Sequence, residues 1–152
     1  MDGCRPGLFD RLLGNHRGAR FLSQEQLKES VARDLEMLLN TRTALPQEAL
    51  AAYPECARSI LNFGLADFAG LSHSSSADRA RICASVRLAV ERHEPRLRGV
   101  QVSLAPSSGT VNRIDIVIVG VLQGHGAEEA VSFSAALQPS SLQYSIKRGA
   151  IA

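Results

Sequence analysis

Two glutamates three residues apart, Glu91 and Glu94, are the chain's best candidates for acid–base chemistry. A glycosidase needs two carboxyl groups roughly 5 to 9.5 Å apart across a sugar cleft, and a spacing of three on one helix end fits that range. Helices also carry such pairs as ordinary solvated charges, and Arg87, Arg92 and Arg96 lie near enough to neutralise them. Aromatics make up only 5% of the chain and there is no Trp, so the usual sugar platforms are scarce. Cys83 and His93 invite a thiol–imidazole pair, but ten residues of helix separate them by about 15 Å along the axis. Cys83 reads better as a small buried hydrophobe. His16, His73, His93 and His125 show no metal-ligand spacing, and Cys4, Cys56 and Cys83 form no CxxC. The sequence therefore implies neither a metal nor another cofactor.

Six arginines between Arg79 and Arg98 are interrupted by Asp78, Glu91 and Glu94, with no interleaved aromatic. That pattern favours a solvated or protein-binding face over a nucleic-acid groove. Gly124-His125-Gly126 lies between strands without a following helix, so it is no phosphate loop. Glu94-Pro95-Arg96 has a different character. Proline drives the residue before it out of the α region, so the three should form a nearly fixed, exposed corner. There a charged pair could face a partner, with Arg96 able to grip a carboxylate through two parallel bonds.

These residues must be positioned by the elements around them. Ser23 and Gln26 form a capping box, and Leu27, Val31, Leu35, Leu38 and Leu39 make one apolar stripe. The helix should end near Asn40-Thr41-Arg42. After a linker, Tyr53-Pro54 starts a short helix whose buried side should be Ile60, Leu61 and Phe63, with Gly64 as its stop. Ser74 to Ser76 cap a third helix, which has Asp78 in its first turn and Ile82, Val86, Ala89 and Val90 facing inward. Beyond Pro95 the period becomes two. Val100, Val102 and Leu104 form one strand; Ile114, Ile116 and Ile118, backed by Val117 and Val119, form a central one. Val131 to Leu137 follow, stopped by Pro139, and Leu142, Tyr144 and Ile146 make a short edge strand. Turns fall at Pro106 to Gly109 and Gly124 to Gly126. Helices first and strands second predict an α+β fold, N-terminal helices packed on a small antiparallel C-terminal β-sheet.

The 152 residues fit one domain, residues 21–148, preceded by a flexible tail over residues 1–20. In that tail Leu8, Phe9, Leu12 and Leu13 could form one helical turn that docks on a partner or on the protein's own core. The net charge of +2 is too small to imply nucleic acid, and no apolar run approaches the ~20 residues of a membrane helix. With no disulfide framework and no secretory leader, a reducing cytoplasm is the expected setting.

Four ordered blocks carry a resemblance. They are Leu8-Phe9-Asp10-Arg11-Leu12; Val31 through Leu35 to Asn40-Thr41-Arg42; Tyr53-Pro54-Glu55 with Ser59-Ile60-Leu61-Asn62-Phe63-Gly64-Leu65; and Glu94-Pro95-Arg96-Leu97. Over residues 8 to about 146 the chain resembles the TssE family of type VI secretion baseplate subunits, kin to a tailed-phage baseplate wedge protein once labelled a lysozyme. The resemblance implies a structural protein without catalysis. It would join TssF, TssG and TssK into wedges at the cytoplasmic face of the inner-membrane secretion complex. It would sit around the end of the Hcp tube and its VgrG spike and start the TssB–TssC sheath. It also places a baseplate-anchoring role on Glu94, Pro95 and Arg96 within the Leu97-ending signature. Leu8, Phe9 and Leu12, and the edge residues Leu142, Tyr144 and Ile146, are further candidate partner contacts. The competing class is a peptidoglycan hydrolase using Glu91 and Glu94. The serine-rich loop Ser72 to Ser76 departs from the family's shorter turn.

Overall fold

Local signals in the sequence become two long helices and a sheet. The computed structural model describes residues 4–14, 18, 20–68, 70–72, 74–106, 114–124, 128–138 and 140–149. The first helix, α1 (Leu8–Leu12), is a single turn. The next, α2 (Gln24–Asn40), starts as the capping box dictates: Ser23 Oγ accepts from Gln26 N at 3.2 Å, and Gln26 Oε1 accepts from Ser23 N at 2.9 Å. It ends at Asn40, where Thr41 turns extended and its hydroxyl donates to Met37 O, while Arg42 Nη1 donates to Leu39 O. Those two side chains satisfy carbonyls that a helix end leaves without partners.

Residues 43–65 depart from expectation. The linker contains a short helix, α3 (Gln47–Leu50), and the Tyr53-Pro54 helix stops early as α4 (Pro54–Ala57). Ser59 is the reason. Its hydroxyl donates to Cys56 O and accepts from Leu61 N, which closes α4 and opens a separate 3-10 turn, Ile60–Asn62. That break rotates the side chains, so Ile60 and Leu61, expected inside, are exposed, with Ile60 at 84%. Gly64 is not the stop of that helix. At φ +121° it passes so close to α2's exit that a Cβ would lie 2.6 Å from Thr41 O. The approach lets Leu65 N bond Thr41 O at 2.8 Å and Thr43 N bond Leu65 O, and Leu65 enters the core.

The last helix, α5 (Ser76–His93), is capped by Ser75 and buries Ile82, Val86, Ala89 and Val90 as its spacing requires. Four antiparallel strands follow in the order β1 (Leu97–Pro106), β2 (Ile114–Gln123), β3 (Glu128–Gln138), β4 (Gln143–Gly149). A bulge interrupts β1 between Arg98 and Gln101, with Gly99 at φ +59° supplying the left-handed residue such an irregularity favours. One sheet face, carrying Val100, Ile116, Ile118, Leu122, Val131, Phe133 and Ala135, packs on Leu27, Val31, Leu35, Leu38 and Leu39 of α2 and on the α5 stripe. Phe133 alone, almost fully buried, is worth about 1.5–3 kcal/mol of transfer free energy. Leu142, expected in the fourth strand, instead sits before it, exposed and at φ +56°. The turns expected at Pro106–Gly109 and Gly124–Gly126 and the stop at Pro139 fall wholly or partly outside the described residues. The architecture is α+β, helices first and an antiparallel sheet last.

Candidate partner-binding site

Apolar stripes tolerate a polar residue only when it finds a partner, and α2 holds two such residues. Ser30, 2% exposed, sits on the buried face beside Leu27 and Val31, and Asp34 follows one turn later. Both are answered from outside the helix. Ser30 Oγ donates to Asp10 Oδ2 of α1 at 2.8 Å and accepts from Arg96 Nη1 at 3.0 Å. Asp34 accepts from Arg96 Nη2.

The N-terminal block enters through Asp10, the buried residue of α1. Its carboxylate caps its own helix by accepting from Gly7 N at 3.0 Å, and it pairs with Arg33 of α2. Burial pushes the Asp10 pKa up, but the bonds from Ser30 and Gly7 and the Arg33 charge outweigh it and hold the group below its ordinary value. A β-bridge between Cys4 and Leu22 ties the chain down a second time. Within the segment expected as a flexible tail, the described α1 is tied to α2 by its polar residue Asp10 rather than by its apolar ones. Leu8, Phe9 and Leu12 face outward, Leu12 at 70% exposure.

The Glu94-Pro95-Arg96 corner corrects the sequence reading most sharply. The bend is there, since α5 ends at His93 and Glu94 is its C-cap. The charged pair, however, is turned inward. Glu94 is 2% exposed, and Arg96 closes on it with Nε to Oε1 at 2.6 Å and Nη2 to Oε2 at 2.5 Å. With Ser30 and Asp34 also bound, the guanidinium is engaged inside its own protein and is not a free fork for a partner's carboxylate. Burial works against its charge, yet Glu94 and Asp34 prevail and raise the Arg96 pKa. Leu97 is likewise a core residue, whereas Pro95 stays on the surface.

Around this cluster lies a shallow groove of about 220 Å³. Phe9, Met37, Phe63, His93, Pro95 and Arg96 line it, so the four resembling blocks each contribute at least one wall residue. His93 is set there by Nε2, 3.1 Å from Asn62 O, and by an edge contact to Phe63 with centroids 5.3 Å apart. Burial lowers its pKa, which favours the neutral ring.

The β4 candidates do not join this groove. Tyr144 and Ile146 pack half-buried against the core, and α2 side chains bond part of the edge expected to present unpaired backbone groups. Asn40 accepts from Tyr144 N at 2.7 Å and donates to Tyr144 O at 2.9 Å, and Glu36 Oε2 accepts from Ile146 N at 2.8 Å. Glu91 is exposed and faces Arg87 at 3.8 Å, while both Glu94 oxygens are taken by Arg96; the two glutamates do not oppose one another across a cleft. Burial raises the pKa of the Cys83 thiol, as for an inert residue. Among the described residues no group of His, Cys, Asp and Glu is arranged to hold a metal, and no helix is long and apolar enough to cross a membrane.

Sequence reading missed Asp10, Ser30, Arg33 and Asp34 as parts of one cluster. The available signal was the polar pair Ser30 and Asp34 on an otherwise apolar stripe. No curated protein and no solved structure matches the chain. The family described as baseplate wedge protein gp25 matches residues 25–127, which span α2 to the end of β2 and three of the four blocks lining the groove. By that match the chain belongs to the baseplate wedge protein gp25 family.

Proposed function

We propose that this protein is the wedge subunit of a type VI secretion baseplate. In that role it joins TssF, TssG and TssK and starts the TssB–TssC sheath at the cytoplasmic face of the inner-membrane complex, beside the Hcp tube and VgrG spike. The observation that carries the reading is the convergence of the four blocks on one apolar groove, in a chain of the baseplate wedge family. Phe9 in its wall, with the exposed Leu8 and Leu12 of the same helical turn, suits a partner's apolar face. Glu94 and Arg96 act from below, holding Pro95 and the groove wall in place. The protein works by assembly and not by catalysis; a buried carboxylate clamped by arginine is poorly placed to protonate a glycosidic oxygen.

A pull-down from cells expressing the candidate baseplate and sheath subunits tests this. Wild type should recover TssF, TssG and TssK, and Phe9→Ala/Leu12→Ala, which alters only exposed positions, should lose them. Recovery of none of them by wild type would overturn the reading. Lysis of peptidoglycan by the pure protein would overturn its non-catalytic part.

A further inference from the structure

The outer face of α5 carries charge that the fold leaves unanswered. Arg81, Ser85, Leu88 and Arg92 follow at spacings of four, three and four, which places them on one stripe of the helix. Ile82, Val86, Ala89 and Val90 take the inner side. Arg87 is paired with Glu91, but among the described residues Arg81 and Arg92 make no ion pair and no side-chain hydrogen bond. Between them Leu88 stays 44% exposed. Beside the stripe opens a pocket of about 230 Å³, between α5 and the paired segments around Thr43 and Gly64. Ala84, Ser85, Leu88 and Arg92 form one wall, and Gly64 and Ala66 belong to the other. Most of these side chains are small, and the room comes from what they lack. Of the described lining residues only Arg92 carries a full charge, because burial favours the neutral ring of His93. Asn62 also lines the pocket, and it belongs to the turn that exposes Ile60 and Leu61.

We infer that this face of α5 receives an amphipathic helix of another protein, acidic at two points and apolar between them. Arg81 and Arg92 lie eleven residues apart, about 16 Å along the axis. The matching carboxylates therefore belong eleven residues apart on the partner helix. Arginine grips a carboxylate through two parallel bonds, and neither fork is engaged inside its own protein. Between the two acids a leucine or phenylalanine enters the pocket beside Leu88, as a central anchor surrounded by a polar rim. Ala84 and Ser85 are small enough for the two helices to approach closely. A second copy of this chain is a poor occupant, since its own stripe is basic and like charges would meet. The face is separate from the Phe9 wall of the groove, and its test needs only the purified chain.

The probe is a fluorescently labelled synthetic helix with two glutamates eleven positions apart, leucines on the same face between them, and alanine and glutamine elsewhere. Its anisotropy should saturate on titration with the purified chain. Arg81→Glu/Arg92→Glu and Leu88→Glu change no core position, and each should weaken binding at least tenfold. A second peptide, with lysines in place of the glutamates, should bind Arg81→Glu/Arg92→Glu at least tenfold more tightly than it binds the wild type. Phe9→Ala/Leu12→Ala should bind the acidic peptide as the wild type does. No saturation with millimolar peptide, equal binding by Leu88→Glu, or no preference of the lysine peptide for the reversed variant would each overturn the inference. So would loss of binding in Phe9→Ala/Leu12→Ala, which would move the peptide to the groove. A wild-type dimer in sedimentation that Leu88→Glu dissociates would overturn it too, making a second copy the occupant. Any of these results, with TssF, TssG and TssK still recovered in the pull-down, would remove this face and leave the assembly role standing.

Discussion

Two bends in this chain invert the usual relation between residue type and burial. At residues 94–96 two charges turn inward; at residues 60–61 two large aliphatic side chains turn outward. In both, local geometry and one well-bonded polar residue decide the outcome, and hydrophobicity does not. The charged bend is held by Arg96, which closes Glu94, Asp34 and Ser30 into one cluster. The apolar bend is held from beneath by Asn62, 3% exposed, whose Nδ2 donates to Ala57 O at 2.9 Å and whose Oδ1 accepts from Gln47 at 3.4 Å. Polar side chains anchor both bends, and what each presents outward is a consequence of that anchoring.

The contrast can be broken most directly at Arg96. Arg96→Ala leaves a buried Glu94 without its cation, and denaturant unfolding should show a loss of about 3–5 kcal/mol. A loss below about 1 kcal/mol would mean that the corner is not an internal cluster. Next in size, Asn62→Ala should cost about 1–3 kcal/mol, because the buried amide is lost and the Ala57 carbonyl and the Gln47 side chain lose their bonds to it. Asp10→Ala should cost a similar amount for the same reason, and it adds a pH signature. The folded Asp10 pKa lies below its ordinary value of 3.8, so its contribution is fully present above that pH. The contribution disappears as pH falls through the lowered value. Stability of wild type and Asp10→Ala, measured from pH 6 downward, should therefore converge in acid; parallel curves would deny Asp10 that role. Smallest of all, Ile60→Ser should shift stability by no more than about 0.5 kcal/mol despite removing a large apolar side chain. A cost near that of Asn62→Ala would collapse the contrast.

What could be read from the sequence followed the range of the interactions involved. The Ser23–Gln26 box, the α5 stripe, the helix exit at Glu94 and the period-two strands depend on residues a few positions apart, and the structure contains each of them. The inward turn of Glu94 depends on Ser30 and Asp34, more than sixty residues upstream of Arg96. The bonding of the β4 edge at Tyr144 depends on Asn40, 104 residues earlier in the chain. No local pattern encodes such pairings. The expected burial of Ile60 and Leu61 fails for a subtler reason: Ser59 lies inside the helix that Tyr53-Pro54 and Gly64 predict, yet its hydroxyl ends one helix and begins another turn. Of the candidate site, Phe9, Pro95 and Arg96 were legible from block resemblance. Their meeting at one groove was not, because it is a property of packing.

The hydroxyl of Ser30 touches both Asp10 and Arg96, and so joins the first sequence block to the last through a single oxygen atom. Stretches of chain that look independent on paper are therefore one thermodynamic unit. Substitutions at positions 10, 30 and 96 should be strongly non-additive in double-mutant cycles. An exchange of any one block with a relative's would carry over its letters but not its energetics, unless the residue at position 30 and its two correspondents travel together.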